Sequence, residues 1–246
     1  FHFNKNSRLL FRLIIVNLKN QTKKNKVSLI KKSEQGKMKF LKDLLHLFYP
    51  EICANCQNQL LKNETILCLI CRHDLPLTNF DSYTDNKITN SFKGRVLIEK
   101  ANALLFFRKK SITKNLIHEL KYKNNEDIGL FFGNWLGEVL ANNKEFSKID
   151  CIVPVPIHAK RKRKRGYNQV TKFGETLSKH LNIPLVEGVL IRNLDTKTQT
   201  RKSRFERFNN LEAKFEITDN SILKNKHILI IDDVITTGAT IEACEK

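Results

Sequence analysis

The stretch Ile228-Leu229-Ile230-Ile231-Asp232-Asp233-Val234-Ile235-Thr236-Thr237-Gly238-Ala239-Thr240 decides how this chain folds. Its four leading apolar residues predict a central strand with two adjacent carboxylates at its C-terminal end. The Thr, Thr, Gly, Ala, Thr loop then opens a helix. In open α/β sheets, ligands bind beyond the carboxyl ends of the strands. A Gly/Thr loop at a helix start offers backbone N–H groups and hydroxyls to a phosphate monoester. Two neighbouring carboxylates accept hydrogen bonds from vicinal hydroxyls. Phosphate and diol recognition side by side describe a ribose 5-phosphate. The competing reading is that the two acids cap the helix and the loop is a plain turn. The strand immediately before and the helix after favour the first reading.

Outward from this stretch, apolar runs alternate with helical patterns. Ala101 to Phe107 suits a strand, and residues 111–121 set Ile112, Leu116, Ile117 and Leu120 on one helical face. A helix over Leu130 to Asn142 is expected to bury Trp135, Leu136, Val139 and Leu140. Ile149 to Pro156 reads as a buried strand, Asn168 to Leu181 as a helix, and Leu185 to Ile191 as a shorter strand. Such alternation predicts an α/β fold, a parallel sheet flanked by helices on both faces.

The chain has 246 residues, of which 41% are hydrophobic and 28% charged, enough for a sizeable core. Collagen-like and wholly disordered classes are excluded. No apolar run approaches the ~20 residues of a spanning helix, so a soluble protein with no membrane span is expected. The net charge of +19 is concentrated. Residues 1–37 hold ten Lys/Arg and one acid, and Lys160 to Arg165 is an unbroken run of six cations. That run is open to three readings: a pyrophosphate site, a nucleic-acid contact or a solvated loop. Mutual repulsion favours a polyanionic ligand. Tyr167 beside it is the one candidate ring for stacking on a base, where single-strand binders interleave several.

Four of the six cysteines form Cys53-Ala-Asn-Cys56 and Cys68-Leu-Ile-Cys71, with eleven residues between the pairs. Two CxxC knuckles of this kind complete a tetrahedral four-sulfur site, so Cys53, Cys56, Cys68 and Cys71 are expected to hold a structural zinc ion. Disulfides and a redox pair are the alternatives. Leu60 and Leu75, each four residues past the second Cys, repeat the knuckle with its apolar prop. Cys151 and Cys244 read as buried apolar residues, and His73 as a bystander.

The chain opens at Phe1 and its single Met is Met38. Residues 1–37 are therefore expected to be translation of upstream DNA or, alternatively, a disordered basic arm. The stretch from Met38, MKFLKDLLHLF, has too many charges for a secretory signal, which points to the cytoplasm. The expected organisation is 1–37 as above, 38–78 the zinc module, 79–95 a linker, and 96–246 the α/β domain.

The Asp232–Thr240 stretch closely resembles the phosphoribosyl-pyrophosphate (PRPP) signature of type I phosphoribosyltransferases. With it, in order, stand the two CxxC knuckles, Leu120-Lys121-Tyr122-Lys123, Val153-Pro154-Val155-Pro156, Arg165-Gly166-Tyr167-Asn168-Gln169 and Thr198-Gln199-Thr200 with Glu206-Arg207 and Asn210. From Met38 onward the chain resembles the ComF family of competence-associated proteins, which includes GntX. The resemblance implies a type I phosphoribosyltransferase-like, Rossmann-like fold. By it, Asp232 and Asp233 hold the ribose hydroxyls and serve any catalysis. Thr236, Thr237, Gly238, Ala239 and Thr240 cradle the 5′-phosphate. Pyrophosphate lies against the loop reaching Arg165 and Gly166. Arg192 to Asn210 forms a mobile hood with Lys197, Gln199 and Arg207 as contacts. Mg²⁺ accompanies PRPP.

The implied function is support of natural transformation, the uptake of single-stranded DNA into the cytoplasm, with competence helicase-like or DNA-processing proteins as partners. The alternative is an active phosphoribosyltransferase that moves ribose 5-phosphate from PRPP to an amine acceptor. Positioning and charge stabilisation would suffice for that transfer. Two departures from the family pattern stand out. The chain stops at Lys246, inside a helix the family continues, which implies a shortened C-terminus. Arg201-Lys202-Ser203-Arg204 is also more basic than usual.

Overall fold

The computed structural model describes residues 8–17, 50–108, 110–193, 214–235 and 237–245. In chain order the elements are β1 (Arg8–Asn17), α1 (Leu69–His73), α2 (Lys87–Phe92), β2 (Lys100–Phe107), α3 (Ile112–Tyr122), α4 (Asp127–Ala141), β3 (Cys151–Pro154), α5 (Ala159–Arg165), α6 (Thr171–Leu181), β4 (Leu190–Asn193), β5 (Lys214–Ile217), α7 (Asn220–Leu223), β6 (His227–Ile235) and α8 (Ala239–Glu245). The architecture is mixed α/β, with a four-stranded sheet in the order β2-β1-β6-β3 and a separate β4-β5 ribbon.

The expected parallel sheet is present as a small part of a mixed one. Among the described strands, only β3 and β6 form a parallel ladder, from Cys151↔Ile228 to Pro154↔Ile231. β1 runs antiparallel to both its neighbours, from Leu9↔Ile235 to Asn17↔His227 on one side and from Arg8↔Phe107 to Ile15↔Lys100 on the other. Residues 8–17, within the stretch 1–37, form this strand. The run RLLFRLIIVN is long and rich in strand-forming residues, and it covers an edge of β6 that would otherwise expose unpaired backbone groups. The rest of the 1–37 expectation lies outside the described residues.

β6 is buried on both faces. Leu229 and Ile231 join one core with α3, α4 and α6, whereas Ile228 and Ile230 join another with α2 and α8. The first core contains Leu116, Leu120, Phe132, Leu136, Phe173 and Leu177 together with Cys53, Leu67, Cys71 and Leu75. The cysteine module thus shares the core of the α/β body. The second contains Ile88 and Phe92, one helical turn apart on α2, inside the 79–95 stretch expected to be a linker. Asn86 fixes the start of α2 by a capping box, and its Nδ2 donates to the carbonyl of Ala101 at 2.7 Å.

α4 buries Ile128, Phe132, Leu136 and Leu140 at four-residue spacing. Trp135 is only partly buried, and Val139, expected inside, is 44% exposed because it falls off that stripe. A parallel stripe of Gly129, Gly133 and Gly137 lets α6 approach closely: a Cβ on Gly133 would lie 2.8 Å from Thr176 Cβ. The Leu185–Ile191 strand is reduced to a parallel bridge, Ile152↔Leu185, with β4 starting at Leu190.

Candidate functional site

Two constellations carry chemistry. In the first, Cys53, Cys56, Cys68 and Cys71 bring their four sulfurs within 4.8 Å of one another. Cys56 and Cys68 Sγ are 3.7 Å apart, and tetrahedral Zn–S bonds of ~2.3 Å would separate sulfurs by about 3.8 Å. The donor set and spacing fit a metal ion such as zinc. Cys68 N–H donates to Cys53 Sγ at 3.4 Å. Burial pushes the Cys53 thiol up, but backbone N–H groups of Cys56, Cys68 and Asn55 outweigh it and leave it lowered to about 7. Burial raises Cys71 to about 12 despite a bond from Asn55 Nδ2 at 3.2 Å. His73 pairs with the neighbouring Asp74 and takes no part.

The second is a cavity of about 250 Å³ at the carboxyl end of the parallel pair β3–β6. The acids do not follow the strand, as the sequence suggested, but lie inside it, since β6 continues to Ile235 against β1. Pairing with β3 ends at Ile231, so Asp232 and Asp233 are the first β6 residues beyond it. Val155 N–H still donates to the Ile231 carbonyl at 2.9 Å, which holds the β3 exit beside them. Asp233 N–H donates to Asp232 Oδ1 at 2.8 Å, which orients the Asp232 carboxylate. Asp233 Oδ2 also meets Lys121 Nζ at 2.5 Å.

The opposite wall comes from the basic run, which is helix α5 rather than a loop. Its N-cap His158 accepts from Lys160 N–H, and Gly166 ends it at φ 85°. Helical spacing turns Arg161 and Arg165 to the cavity, while Lys160, Lys162, Arg163 and Lys164 stay exposed outside it. Arg165 lies over the Tyr122 ring at 5.3 Å. Asn168 Nδ2 donates to the Val155 carbonyl at 3.0 Å and pins the Arg165–Gln169 segment over the strand end. Tyr167 is not a free stacking ring, because it packs on the core and its hydroxyl donates to the Leu120 carbonyl.

Of the sequence-predicted residues, Asp232, Asp233, Arg165 and Thr240 line this one cavity. Thr237, Gly238 and Ala239 lie in the adjoining turn into α8, and Gly166 caps α5. Thr236, Lys197, Gln199 and Arg207 lie outside the described residues. Sequence reasoning missed Lys121, Arg161, Gln169 and Arg192 as lining residues. An i, i+4 reading of 159–165 finds Arg161, whereas the Leu120–Lys123 motif by itself assigns Lys121 no role. It also missed Arg95, whose Nη2 donates to the Thr237 carbonyl at 2.9 Å and whose Nη1 meets Glu242 at 3.3 Å, bracing the turn. A larger cleft of about 860 Å³ lies between the cysteine module and α4, but none of the predicted residues borders it.

Four cations and two carboxylates thus face one small space. Such a cavity suits a ligand with several negative charges and hydroxyls to offer the acids. No helix among the described residues is long and apolar enough to cross a membrane.

No family model matches the chain, and no solved structure matches it. Among curated proteins it is 30% identical over 138 residues to Competence protein F of Haemophilus influenzae, covering 53% of this chain and 59% of that protein. It is 24% identical over 203 residues to Competence protein ComFC of Bacillus subtilis, covering 80% of this chain and 78% of that one. DNA utilization protein YhgH of Escherichia coli is 30% identical over 129 residues, 51% of this chain and 56% of the relative. The chain therefore spans little more than half the length of two of these three relatives. Their names agree with the motif order from the cysteine knuckles to Asp232–Thr240 and support the resemblance to the ComF family.

Proposed function

We propose that this chain is a PRPP-binding protein with a phosphoribosyltransferase-like domain that supports natural transformation, helping single-stranded DNA into the cytoplasm. The observation that carries the reading is the two-walled cavity, with Asp232 and Asp233 facing Arg161, Arg165 and Arg192. The carboxylates take the ribose hydroxyls, the turn from Thr236 to Thr240 takes the 5′-phosphate, and the arginines take the diphosphate. Mg²⁺ enters with PRPP and neutralises diphosphate charge. Lys197, Gln199 and Arg207 close over the ligand from the hood. Cys53, Cys56, Cys68 and Cys71 hold a zinc ion that knits the module to the shared core.

The outer cations of α5, Lys160, Lys162, Arg163 and Lys164, are the surface for a DNA backbone, since they are exposed and outside the cavity. The competence and DNA-utilization names of the relatives support this assignment. Partner proteins are those that process incoming strands. The test is transformation frequency in the source organism carrying Asp232→Asn with Asp233→Asn at normal protein level. A fall of tenfold or more is expected, and an unchanged frequency contradicts the proposal.

A further inference from the structure

Gln169 is 3% exposed, and its Nε2 has no hydrogen-bond partner. Buried amides are nearly always bonded, because an unmet donor keeps its full desolvation cost. This one borders the cavity that holds Asp232 and Asp233. Its backbone is not free to move away: Asn168 is tied to the Val155 carbonyl, and Val170 beside it is buried in the core. The other buried side-chain atom without a partner among the described residues is Arg192 Nε, and Arg192 borders the same cavity. Its guanidinium lies over the Phe215 ring at 5.6 Å, which sets the plane of its donor fork. Two orphaned donors on one small cavity are the mark of a site completed by an acceptor-rich ligand.

We propose that Gln169 and Arg192 are ligand-binding residues whose N–H groups donate to the oxygens of a diphosphate, and that they select a diphosphate ester over a sugar monophosphate. The inference rests on the PRPP reading above. Arg161 and Arg165 on the neighbouring helix supply charge, which any phosphate attracts. Gln169 adds a neutral donor at a fixed position, and Arg192 adds a directional fork. Neither Gln169 Nε2 nor Arg192 Nε has a hydrogen-bond partner among the described residues, so a ligand that accepts from them displaces no internal hydrogen bond of these two atoms.

A test uses the full chain, loaded with metal, and calorimetric titration with Mg²⁺–PRPP, Mg²⁺–pyrophosphate and ribose 5-phosphate. Gln169→Met keeps the shape and removes the donor. It is expected to weaken PRPP and pyrophosphate at least tenfold and ribose 5-phosphate less than twofold. The same change should hold or raise the melting temperature of the ligand-free protein, because it deletes an unmet buried donor. A residue with only a structural role would give the opposite sign. Arg192→Lys keeps the charge but loses Nε–H, and is expected to show the same ligand selectivity of loss.

Unchanged pyrophosphate affinity in a folded Gln169→Met protein overturns the inference and leaves the PRPP reading standing. Equal losses for all three ligands also overturn it. A wild-type protein that binds neither PRPP nor pyrophosphate overturns both.

Discussion

Replacing Gly238 by Ala tests the geometry of the turn that carries the phosphate reading. Gly238 sits at φ 85°, where an L side chain costs about 1 kcal/mol. Its new Cβ would lie 2.6 and 2.7 Å from two ring carbons of Phe92. Phe92 is itself 1% exposed within the second core, so the ring has little room to yield. Overpacking of this kind costs about 1–3 kcal/mol, and the sum is about 2–4 kcal/mol. For a chain of this size that lowers the melting temperature by roughly 5–15 °C.

The two costs separate in a double-mutant cycle with Phe92→Leu, scored by urea midpoints. The shorter side chain relieves the clash but leaves the backbone strain, so the double variant should be about 1–3 kcal/mol more stable than additivity predicts. A Gly238→Ala protein within 0.5 kcal/mol of wild type, or strictly additive changes, would refute the packing of this turn on Phe92.

Other consequences are open to measurement. Lys121→Met leaves Asp233, only 15% exposed, without its ion pair, and should cost about 1–3 kcal/mol in denaturant, with part recovered by Asp233→Asn. Burial raises Cys151 from 9.0 to about 11. Its contribution is therefore whole below pH 9 and is lost as pH rises towards 11, amounting to about 2 kcal/mol by pH 10.5. Urea midpoints of Cys151→Ala at pH 8 and pH 10.5 should show that part of the decline removed. Asn55 bonds Cys71 Sγ and accepts from Asn115 Nδ2 on α3 at 2.9 Å. Asn55→Ala should weaken zinc retention about tenfold against a competing chelator, and equal retention would show that this bridge does not steady the cluster.

The parts of this molecule legible in its sequence are those with a local cause. The run Ile228–Ile231 announces a doubly buried strand, the i, i+4 apolar spacing of Leu116 and Leu120 announces α3, and the CxxC spacing announces the four-sulfur cluster. The parts missed depend on distant partners. Residues 8–17 do not announce a strand locally, because only the open edge of β6, over two hundred positions later, makes them one. Asp232 and Asp233 fall within β6 for the same reason, since β1 extends the ladder that β3 ends at Ile231. Lys121 meets Asp233 across the sheet-end cavity, a contact no local periodicity encodes. The basic run concealed its two faces because six like charges hide a helical period that apolar residues would have shown.

The proposed PRPP site is the cavity between Asp232, Asp233 and the arginines of α5 and β4. Calorimetric titration of Mg²⁺–PRPP into the full chain, beside the folded Asp232→Asn/Asp233→Asn variant, tests it most directly. Saturable one-site binding by the wild type, lost at least a hundredfold in the variant, is the predicted result. Equal affinity in the two proteins, or no binding by a folded and zinc-loaded wild type, would contradict it.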